Sequence, residues 1–192
     1  MDLRLIEAGK GYERRVFLGA VIAGGGLYGL WSLRPSPPSR LPETVRIAEF
    51  DAAGQFVGSP MVRTVRKTDD EWRKQLAVDQ YMVTRRGDTE FAFAGEYWNF
   101  HEDGVYRCVC CGTALFDSRS KFSSGTGWPS FTEPIAKENV VEAIDRTFGM
   151  QRTEIRCRRC DAHLGHVFDD GPPPTGRRYC MNSVALRFIP RA

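Results

Sequence analysis

Two pairs of cysteines constrain this chain more than any other feature, Cys108-x-x-Cys111 and Cys157-x-x-Cys160. Their spacing is that of metal-binding knuckles, and four thiolates satisfy the tetrahedral coordination of a zinc ion. Because four sulfur ligands leave no open position for water, we predict one structural zinc rather than a catalytic one. The 45 residues between the pairs exceed the roughly 15 to 20 of a simple zinc ribbon, so the ion would join distant loops of a larger sheet.

Disulfide bonds are the alternative for these four residues, because they form in proteins that leave the cytoplasm. The chain has six cysteines, so the two pairs leave Cys110 and Cys180 for other roles. A net charge of only +3 gives little affinity for phosphate, and we therefore expect no nucleic-acid partner.

Short apolar and aromatic runs separated by glycine, proline and serine predict a mainly β fold with an antiparallel core. The runs that predict strands or other β structure are 91–100, 105–107, 114–116, 140–144 and 153–156.

A short helix is expected to begin at Thr68, because Glu71 three residues later completes a capping box. Trp72, Leu76 and Val78 would form the buried side of this helical region. A second helical turn is predicted around Asp79 to Val83.

The N-terminal residues 1–34 contain a paired arginine, Arg14-Arg15, followed by an uncharged run over 16–33. This pattern resembles a twin-arginine export signal. At 18 residues the run also reaches the lower limit for a membrane-spanning helix. We predict either a signal or an anchor of the inner membrane, with a periplasmic location for the rest of the chain.

Residues 35–67 are predicted to be a proline-rich spacer and a loose N-terminal extension. Within the extension, 44–58 is compatible with a hairpin or with a loose tail. The folded domain would occupy 68–192.

Near the C-terminal end, residues 177–188 are interpreted as one strand whose alternate side chains share a face. The members of that face would be Cys180, Asn182, Val184, Leu186 and Phe188. Arg177 and Arg178 precede the thiol, and nearby cations favour the nucleophilic thiolate. The alternative is a buried cysteine with a structural role.

Five motifs follow one another along the chain: Tyr106-Arg107-Cys108-x-x-Cys111-Gly112, Lys121-Phe122-x-Ser124-Gly125-x-Gly127-Trp128-Pro129-Ser130-Phe131, Cys157-x-x-Cys160, His163-Leu164-Gly165-His166-Val167-Phe168 and Arg178-Tyr179-Cys180-x-Asn182-Ser183. Together they resemble the B-type methionine sulfoxide reductases over roughly residues 72–190. The resemblance implies two antiparallel β-sheets with short N-terminal helices and a zinc clip made of four cysteines. It also implies reduction of methionine (R)-sulfoxide, free or in proteins, to methionine.

The residues fit this chemistry. A thiolate at Cys180 would attack the sulfoxide sulfur and become a sulfenic acid, while His166 would donate the proton that the oxygen needs. His163 would support His166 or polarise the oxygen. On a plain strand the two histidines would face opposite ways, so we expect Gly165 to allow a bulge that brings them into one pocket.

Three further residues complete the predicted catalytic set. Trp128 would form an apolar wall for the substrate methyl group, and Asn182 would hydrogen-bond a histidine or a water. We place Arg178 on the strand face opposite Cys180, so its influence on the thiolate is expected through the electric field or a bend.

One departure from the family concerns recycling. Family members often carry a resolving cysteine where this chain has Thr126. Either an external thiol reduces Cys180 directly, or Cys110 acts as the resolving thiol. We favour the external thiol, because metal-bound neighbours would hold Cys110 in place.

The resemblance implies repair of proteins oxidised under oxidative stress, with a thioredoxin-like or other thiol reductant as partner, and we expect a monomer. Two other functions compete with this one. A zinc-ribbon binding module would leave the Cys180 motif unexplained. A zinc hydrolase or thiol peptidase with a Cys180–His166 dyad would leave Trp128 unexplained.

Overall fold

The computed structural model describes residues 41–191. The signal or anchor predicted in 1–34 and most of the proline spacer lie outside this range. Among the described residues, no helix combines the length and the hydrophobicity that a bilayer crossing requires.

The described chain contains short strands and two short α-helices. The N-terminal strands are β1 (Thr44–Arg46), β2 (Glu49–Phe50), β3 (Phe56–Gly58) and β4 (Met61–Arg63). The helices are α1 (Asp69–Gln75) and α2 (Val78–Arg86). The later strands are β5 (Gly104–Cys108), β6 (Ala114–Asp117), β7 (Lys121–Phe122), β8 (Ser130–Phe131), β9 (Val140–Asp145), β10 (Arg152–Cys157), β11 (His163–Phe168), β12 (Arg178–Met181) and β13 (Leu186–Pro190).

Two antiparallel sheets dominate the fold. The larger has six strands in the order β7-β8-β12-β11-β10-β9, and the smaller has three in the order β13-β5-β6. Tyr106, Phe116 and Phe131 are fully buried, and the rings of Phe116 and Phe131 stack at 4.4 Å between centroids. The predicted mainly β, antiparallel fold is confirmed.

The first helix begins as the sequence predicts. Thr68 caps α1, and Glu71 completes the capping box. Trp72 and Leu76 are buried, but the prediction for Val78 is wrong, because its side chain is 82% exposed. The helical path breaks at Leu76 and restarts at Val78, so the buried face of α1 does not continue to this position.

The aromatic run over 91–100 forms turns and not a strand. Phe93 has a φ of +66°, a left-handed conformation that is incompatible with an extended strand. The aromatic residues give this segment the composition of a strand, but its backbone forms consecutive turns.

The single strand predicted over 177–188 is also interrupted. The strand β12 ends at Met181, a 3-10 turn spans Ser183–Ala185, and β13 belongs to the smaller sheet. The backbone N–H groups of Ser183 and Val184 donate to the Glu90 carboxylate at 2.6 and 3.1 Å. Because those groups are already bonded, they are unavailable to a strand ladder.

The N-terminal extension is folded onto the domain. The hairpin left open by the sequence is present, since β2 pairs with β3, and β1 pairs with β4. The buried side-chain amide of Asn139 bonds both the N–H and the carbonyl of Ala48, each at 2.8 Å. The predicted domain boundaries at residues 34 and 67 stay predictions.

Candidate active site and metal centre

The four knuckle cysteines converge on one point. Their sulfur atoms all lie within 4.8 Å of one another, with Cys108 and Cys160 at 3.6 Å and Cys111 and Cys157 at 3.5 Å. Sulfur atoms in a disulfide lie about 2 Å apart, whereas tetrahedral ligands at about 2.3 Å from a zinc ion lie about 3.8 Å apart. The four thiols therefore have the arrangement of a metal site, and they are not paired as disulfides.

Both knuckles turn in the same way. The N–H of Gly112 donates to Cys108 O at 2.8 Å, and the N–H of Asp161 donates to Cys157 O at 2.9 Å. Each of these residues has a positive φ, +77° and +58°, which glycine adopts freely and aspartate tolerates. The residue after each Cys-x-x-Cys pair thus sets the turn that presents two sulfurs to one point.

The two helices hold the knuckles from outside. The Gln75 amide donates to Cys110 O at 2.8 Å, and the Arg85 guanidinium donates to Cys160 O at 2.9 Å. The thiol of Cys110 is buried and donates to the Thr84 hydroxyl at 3.4 Å. Cys110 therefore packs between its knuckle and α2.

Cys180 lies at the middle of the six-stranded sheet. In the register of β12 it faces His166 of β11 on one side and Ser130 of β8 on the other. A cleft of about 120 Å³ opens over the thiol. Its lining residues are Thr89, Trp128, Arg152, Gly165, His166, Phe168, Cys180, Met181 and Asn182. Of the predicted catalytic residues, Cys180, Trp128, His166 and Asn182 line this cleft, whereas His163 and Arg178 do not.

The electrostatics of Cys180 differ from the prediction. Burial raises the pKa of this thiol, while hydrogen bonding by Thr126 and the positive charge of Arg178 act to lower it. The desolvation effect is the larger, so the net direction is upward and the thiol form is favoured. Adjacent cations in the sequence therefore do not decide the charge of a buried thiol.

The placement of Arg178 opposite Cys180 is wrong. The two residues are two positions apart in β12, so they share a face. The positive charge of the guanidinium acts to lower the pKa of the Cys180 thiol, and the guanidinium makes two bonds to the Asp170 carboxylate at 2.9 and 2.8 Å. It also lies 4.5 Å from the Phe168 ring centroid. Asp170 and Phe168 therefore hold the guanidinium beside the thiol.

The two histidines meet through the bulge that Gly165 was predicted to allow. Ile155 pairs with Gly165 and Arg156 pairs with His163, so Leu164 is an extra residue in β11. The ring centroids of His163 and His166 are 5.3 Å apart. Gly165 is required for a second reason, because a Cβ there would lie 2.2 Å from Cys180 O. The bulge and the close contact with β12 both need this glycine.

Each histidine is bound to a carboxylate that the sequence analysis did not identify. His166 Nε2 lies 2.8 Å from Asp145 Oδ2, and His163 Nδ1 lies 2.7 Å from Glu154 Oε1. Burial lowers the pKa of His166, although the Asp145 bond acts to raise it. Burial also acts to raise the pKa of Asp145, but bonds from Thr147 and His166 and the charge of Arg152 outweigh it and lower that pKa. A neutral His166 beside an ionised Asp145 results.

Asn182 has a structural task. Its side-chain amide donates to Leu164 O at 3.1 Å, and its oxygen accepts from the Glu90 N–H at 3.1 Å. The bond to Leu164 holds the bulged residue of β11. Among the described residues, the amide therefore serves the backbone around the two histidines and does not bond a histidine itself.

Glu90 connects the walls of the cleft. Its carbonyl oxygen accepts the Trp128 Nε1–H at 3.1 Å, and its carboxylate binds the turn at Ser183 and Val184. Burial raises the pKa of Glu90, which the backbone N–H groups oppose. No sequence signal identifies this residue, because its partners lie between 38 and 94 positions away in the chain.

Thr126 occupies the position where the family often has a resolving cysteine. Its hydroxyl oxygen lies 3.9 Å from Cys180 Sγ and 2.9 Å from the Ser124 hydroxyl. Ser130 in turn donates to Ser124 at 2.8 Å. A chain of three hydroxyl groups therefore ends at the thiol.

A comparison with protein families identifies the chain. The SelR domain matches residues 76–190, a range that contains the metal ligands, Cys180 and both histidines. The chain belongs to the SelR family.

Curated SelR relatives are similar over the same part of the chain. A protein of Herminiimonas arsenicoxydans named peptide methionine sulfoxide reductase MsrB is 59% identical over 128 residues, which are 67% of this chain and 93% of the relative. A protein of Hahella chejuensis with the same name is 60% identical over 65% of this chain and 89% of its own length. The chloroplastic peptide methionine sulfoxide reductase B1 of Oryza sativa subsp. japonica is 60% identical over 62% of this chain and 56% of its own length.

The residues of the candidate active site fall within the SelR match, whereas some elements that contact the knuckles lie outside it. Glu90, Asp145 and Glu154 fall within it, whereas the N-terminal strands β1 to β4 and the helix α1 precede it. The contact of Gln75 with the first knuckle therefore comes from outside the matched range.

Proposed function

We propose that this protein is a peptide-methionine (R)-S-oxide reductase in which Cys180 is the nucleophile. The observation that carries the proposal is the cleft in which Cys180, Trp128 and His166 meet. The names of the SelR relatives support the reaction type. The substrate is methionine (R)-sulfoxide, free or in oxidised proteins.

The first step is an oxygen transfer. His166 takes the proton of the Cys180 thiol, and the resulting thiolate attacks the sulfoxide sulfur. The protonated His166 then gives this proton to the oxygen, and the hydroxyl group passes from the substrate sulfur to Cys180 as the transient sulfur–sulfur bond breaks. The sulfoxide is reduced to methionine, and Cys180 is oxidised to a sulfenic acid. Two external thiols then reduce the sulfenic acid, with release of water and formation of one disulfide between them.

The surrounding residues serve this step through their positions. His166, neutral at rest, receives the proton of the Cys180 thiol and passes it to the oxygen, and its lowered pKa makes the imidazolium a stronger acid. Arg178 stabilises the thiolate as it forms, which matters because burial disfavours that form. Trp128 receives the apolar end of the substrate. His163 and Asn182 act by fixing the position of His166 through the bulge.

The four-cysteine cluster is proposed to bind one structural zinc ion. Cys108, Cys111, Cys157 and Cys160 supply four sulfur atoms at ligand spacing. Bound zinc supplies structural stability, since no ligand position is left for water. A bound ion would join the ends of β5 and β10, which belong to different sheets.

Recycling is proposed to use Cys180 alone. The Thr126 hydroxyl stands beside the thiol where a resolving sulfur would be, and Cys110 is buried against Thr84. A thioredoxin-like protein or another thiol would therefore reduce the sulfenic acid directly. Reaction with one equivalent of sulfoxide should leave a dimedone-reactive Cys180, and Cys110→Ser should turn over normally; a Cys110–Cys180 disulfide would contradict this route.

Export is proposed on the sequence of residues 1–34. Arg14 and Arg15 precede the uncharged run, and a twin-arginine signal would place the domain in the periplasm for repair after oxidative stress, with or without a membrane anchor. Replacing both arginines with lysine should block export in cell fractionation. Unchanged export of that variant would refute this route.

The function itself is tested with racemic methionine sulfoxide and a dithiol. The purified protein should consume the R epimer only, and Cys180→Ser should lose turnover while it retains its fold and metal content. Near-normal turnover of Cys180→Ser, or consumption of neither epimer by the unaltered protein, would refute the assignment.

A further inference from the structure

Three aromatic side chains stand in solvent on the segment 89–98. Phe91 is 88% exposed, Phe93 is 56% exposed and Trp98 is 37% exposed. The rings of Phe93 and Trp98 meet edge to face with their centroids 5.3 Å apart. We call these three residues the aromatic rim. A cluster of exposed aromatic rings is typical of a binding surface, whereas single exposed apolar residues are not.

The aromatic rim has a defined backbone. Phe93 holds a left-handed φ of +66°, and its N–H donates to Gly127 O at 2.8 Å. This approach requires a glycine at 127, because a Cβ there would lie 2.7 Å from Phe93 N. At the other end of the segment, the Tyr97 N–H donates to the Ser183 hydroxyl at 3.2 Å. The rings are therefore presented by a segment that is bound to the rest of the domain.

The aromatic rim continues the wall of the cleft. Thr89 and Trp128 line the cleft, and the carbonyl of Glu90 accepts the Trp128 indole N–H. Phe91 follows Glu90 directly, and Phe93 is bonded to the residue that precedes Trp128. The segment that carries the aromatic rim is thus joined by backbone bonds to residues of the cleft wall.

The size of the cleft determines what must lie outside it. Its volume is about 120 Å³, well below the roughly 300 to 1,000 Å³ of pockets that enclose whole drug-sized ligands. One methionine sulfoxide side chain can enter, but the main chain and the neighbouring residues of a polypeptide cannot. Those neighbours must lie over the surface around the cleft, and the aromatic rim is part of that surface.

We propose that the aromatic rim binds an apolar or aromatic residue next to the oxidised methionine of an unfolded polypeptide. The inference rests on the proposed function and adds a preference among its substrates. Methionines in apolar sequence are normally buried, so their sulfoxides become accessible when a damaged protein unfolds. Aromatic side chains offer large apolar contact area together with edge-to-face packing, which suits a flanking phenylalanine or leucine better than serine.

The test compares two acetylated pentapeptides with a central methionine (R)-sulfoxide, one flanked by phenylalanine and one by serine. For the unaltered protein, kcat/KM should be about tenfold higher with the phenylalanine peptide, the size of one good aromatic contact. Phe91→Ser and Trp98→Ser should each reduce this ratio to about threefold or less. The matched control is Phe56→Ser, which removes a 61% exposed phenylalanine of β3 outside the segment, and it should leave the ratio unchanged.

The ratio of kcat/KM for the two peptides distinguishes a loss of selectivity from misfolding, because a misfolded variant loses activity towards both peptides. Equal kcat/KM for the two peptides in the unaltered protein would overturn the proposal, as would a tenfold ratio that survives in both rim variants. A rim variant that raises the KM of the thiol reductant and keeps the peptide ratio would also overturn it, since the surface would then serve the reductant. If the unaltered protein reduces neither peptide and no free sulfoxide, the proposed function fails instead.

Discussion

Replacing Glu90 with glutamine tests how the cleft is held together. The carboxylate accepts two backbone N–H groups, one on each oxygen. A glutamine side chain has one acceptor oxygen, so it can bond either Ser183 or Val184 and must turn an NH₂ group towards the other donor. A hydrogen bond to a charged group contributes about 1.5 to 3 kcal/mol, and an unsatisfied buried donor costs about 1 to 3 kcal/mol.

The expected loss in the free energy of unfolding is therefore about 3 kcal/mol. For a domain of this size, that corresponds to a decrease in Tm of about 6 to 12 °C. Urea denaturation followed by tryptophan fluorescence measures the free energy, and calorimetry measures the Tm. Glu102→Gln is the control, because Glu102 is exposed and its replacement should change stability by about 0.5 kcal/mol at most.

Function should follow stability in this variant. The turn at Ser183 begins directly after Asn182, and the Glu90 carbonyl also holds Trp128, so kcat/KM for the sulfoxide should fall as well. If Glu90→Gln unfolds at the same urea concentration as the unaltered protein, the carboxylate does not hold the turn, and our explanation of the strand break is wrong.

Three other predictions concern the metal, the thiol and the recycling route. Removing the metal with a chelator, or replacing Cys157 with serine, should unfold the domain. Structural zinc contributes about 10 to 16 kcal/mol of binding free energy in zinc fingers, whereas the free energy of unfolding of a whole domain is about 5 to 15 kcal/mol. A metal-free domain that is still folded by circular dichroism would contradict this prediction. The pKa of Cys180 is raised by burial, and the charge of Arg178 opposes that shift. Arg178→Met should therefore move the alkylation of Cys180 by iodoacetamide to higher pH and slow it about tenfold near pH 7, whereas Arg178→Lys should shift it less; identical pH profiles would refute the role of this charge. Thr126→Cys places a thiol beside Cys180. The sulfenic acid of Cys180 should then condense with this thiol to a disulfide with loss of water, and mass spectrometry should show that dimedone no longer labels Cys180. Persistent labelling would mean that the two sulfur atoms do not meet.

The features predicted correctly from sequence are local in the chain. The knuckles depend on Cys-x-x-Cys spacing and on the turn residue that follows, so Gly112 and Asp161 lie in the same short segments as the ligands. The meeting of His163 and His166 depends on Gly165 between them. In such cases a few adjacent residues specify the geometry.

The features that the sequence did not predict depend on distant partners. Glu90 binds a turn more than 90 positions away, and that bond ends the strand that alternation alone would continue. Asp145 reaches His166 only because β9, β10 and β11 are neighbours in the sheet. The pKa of Cys180 depends on burial, which outweighs the neighbouring cations. None of these effects produces a recognisable pattern among neighbouring residues of the sequence.

The chain leads from Cys180 directly to the four-cysteine cluster. After Cys180 and the turn at Ser183–Ala185, Leu186 pairs with Cys108 of the first knuckle. Of the four clustered cysteines, Cys111 is partly exposed, whereas Cys108, Cys157 and Cys160 are buried. The oxidants that create sulfoxides also attack thiolates, so we expect oxidation of the knuckles to begin at Cys111. In the proposed cycle an external thiol regenerates Cys180 but does not restore an over-oxidised knuckle cysteine, so oxidation of Cys111 would limit how long the fold supports that cycle.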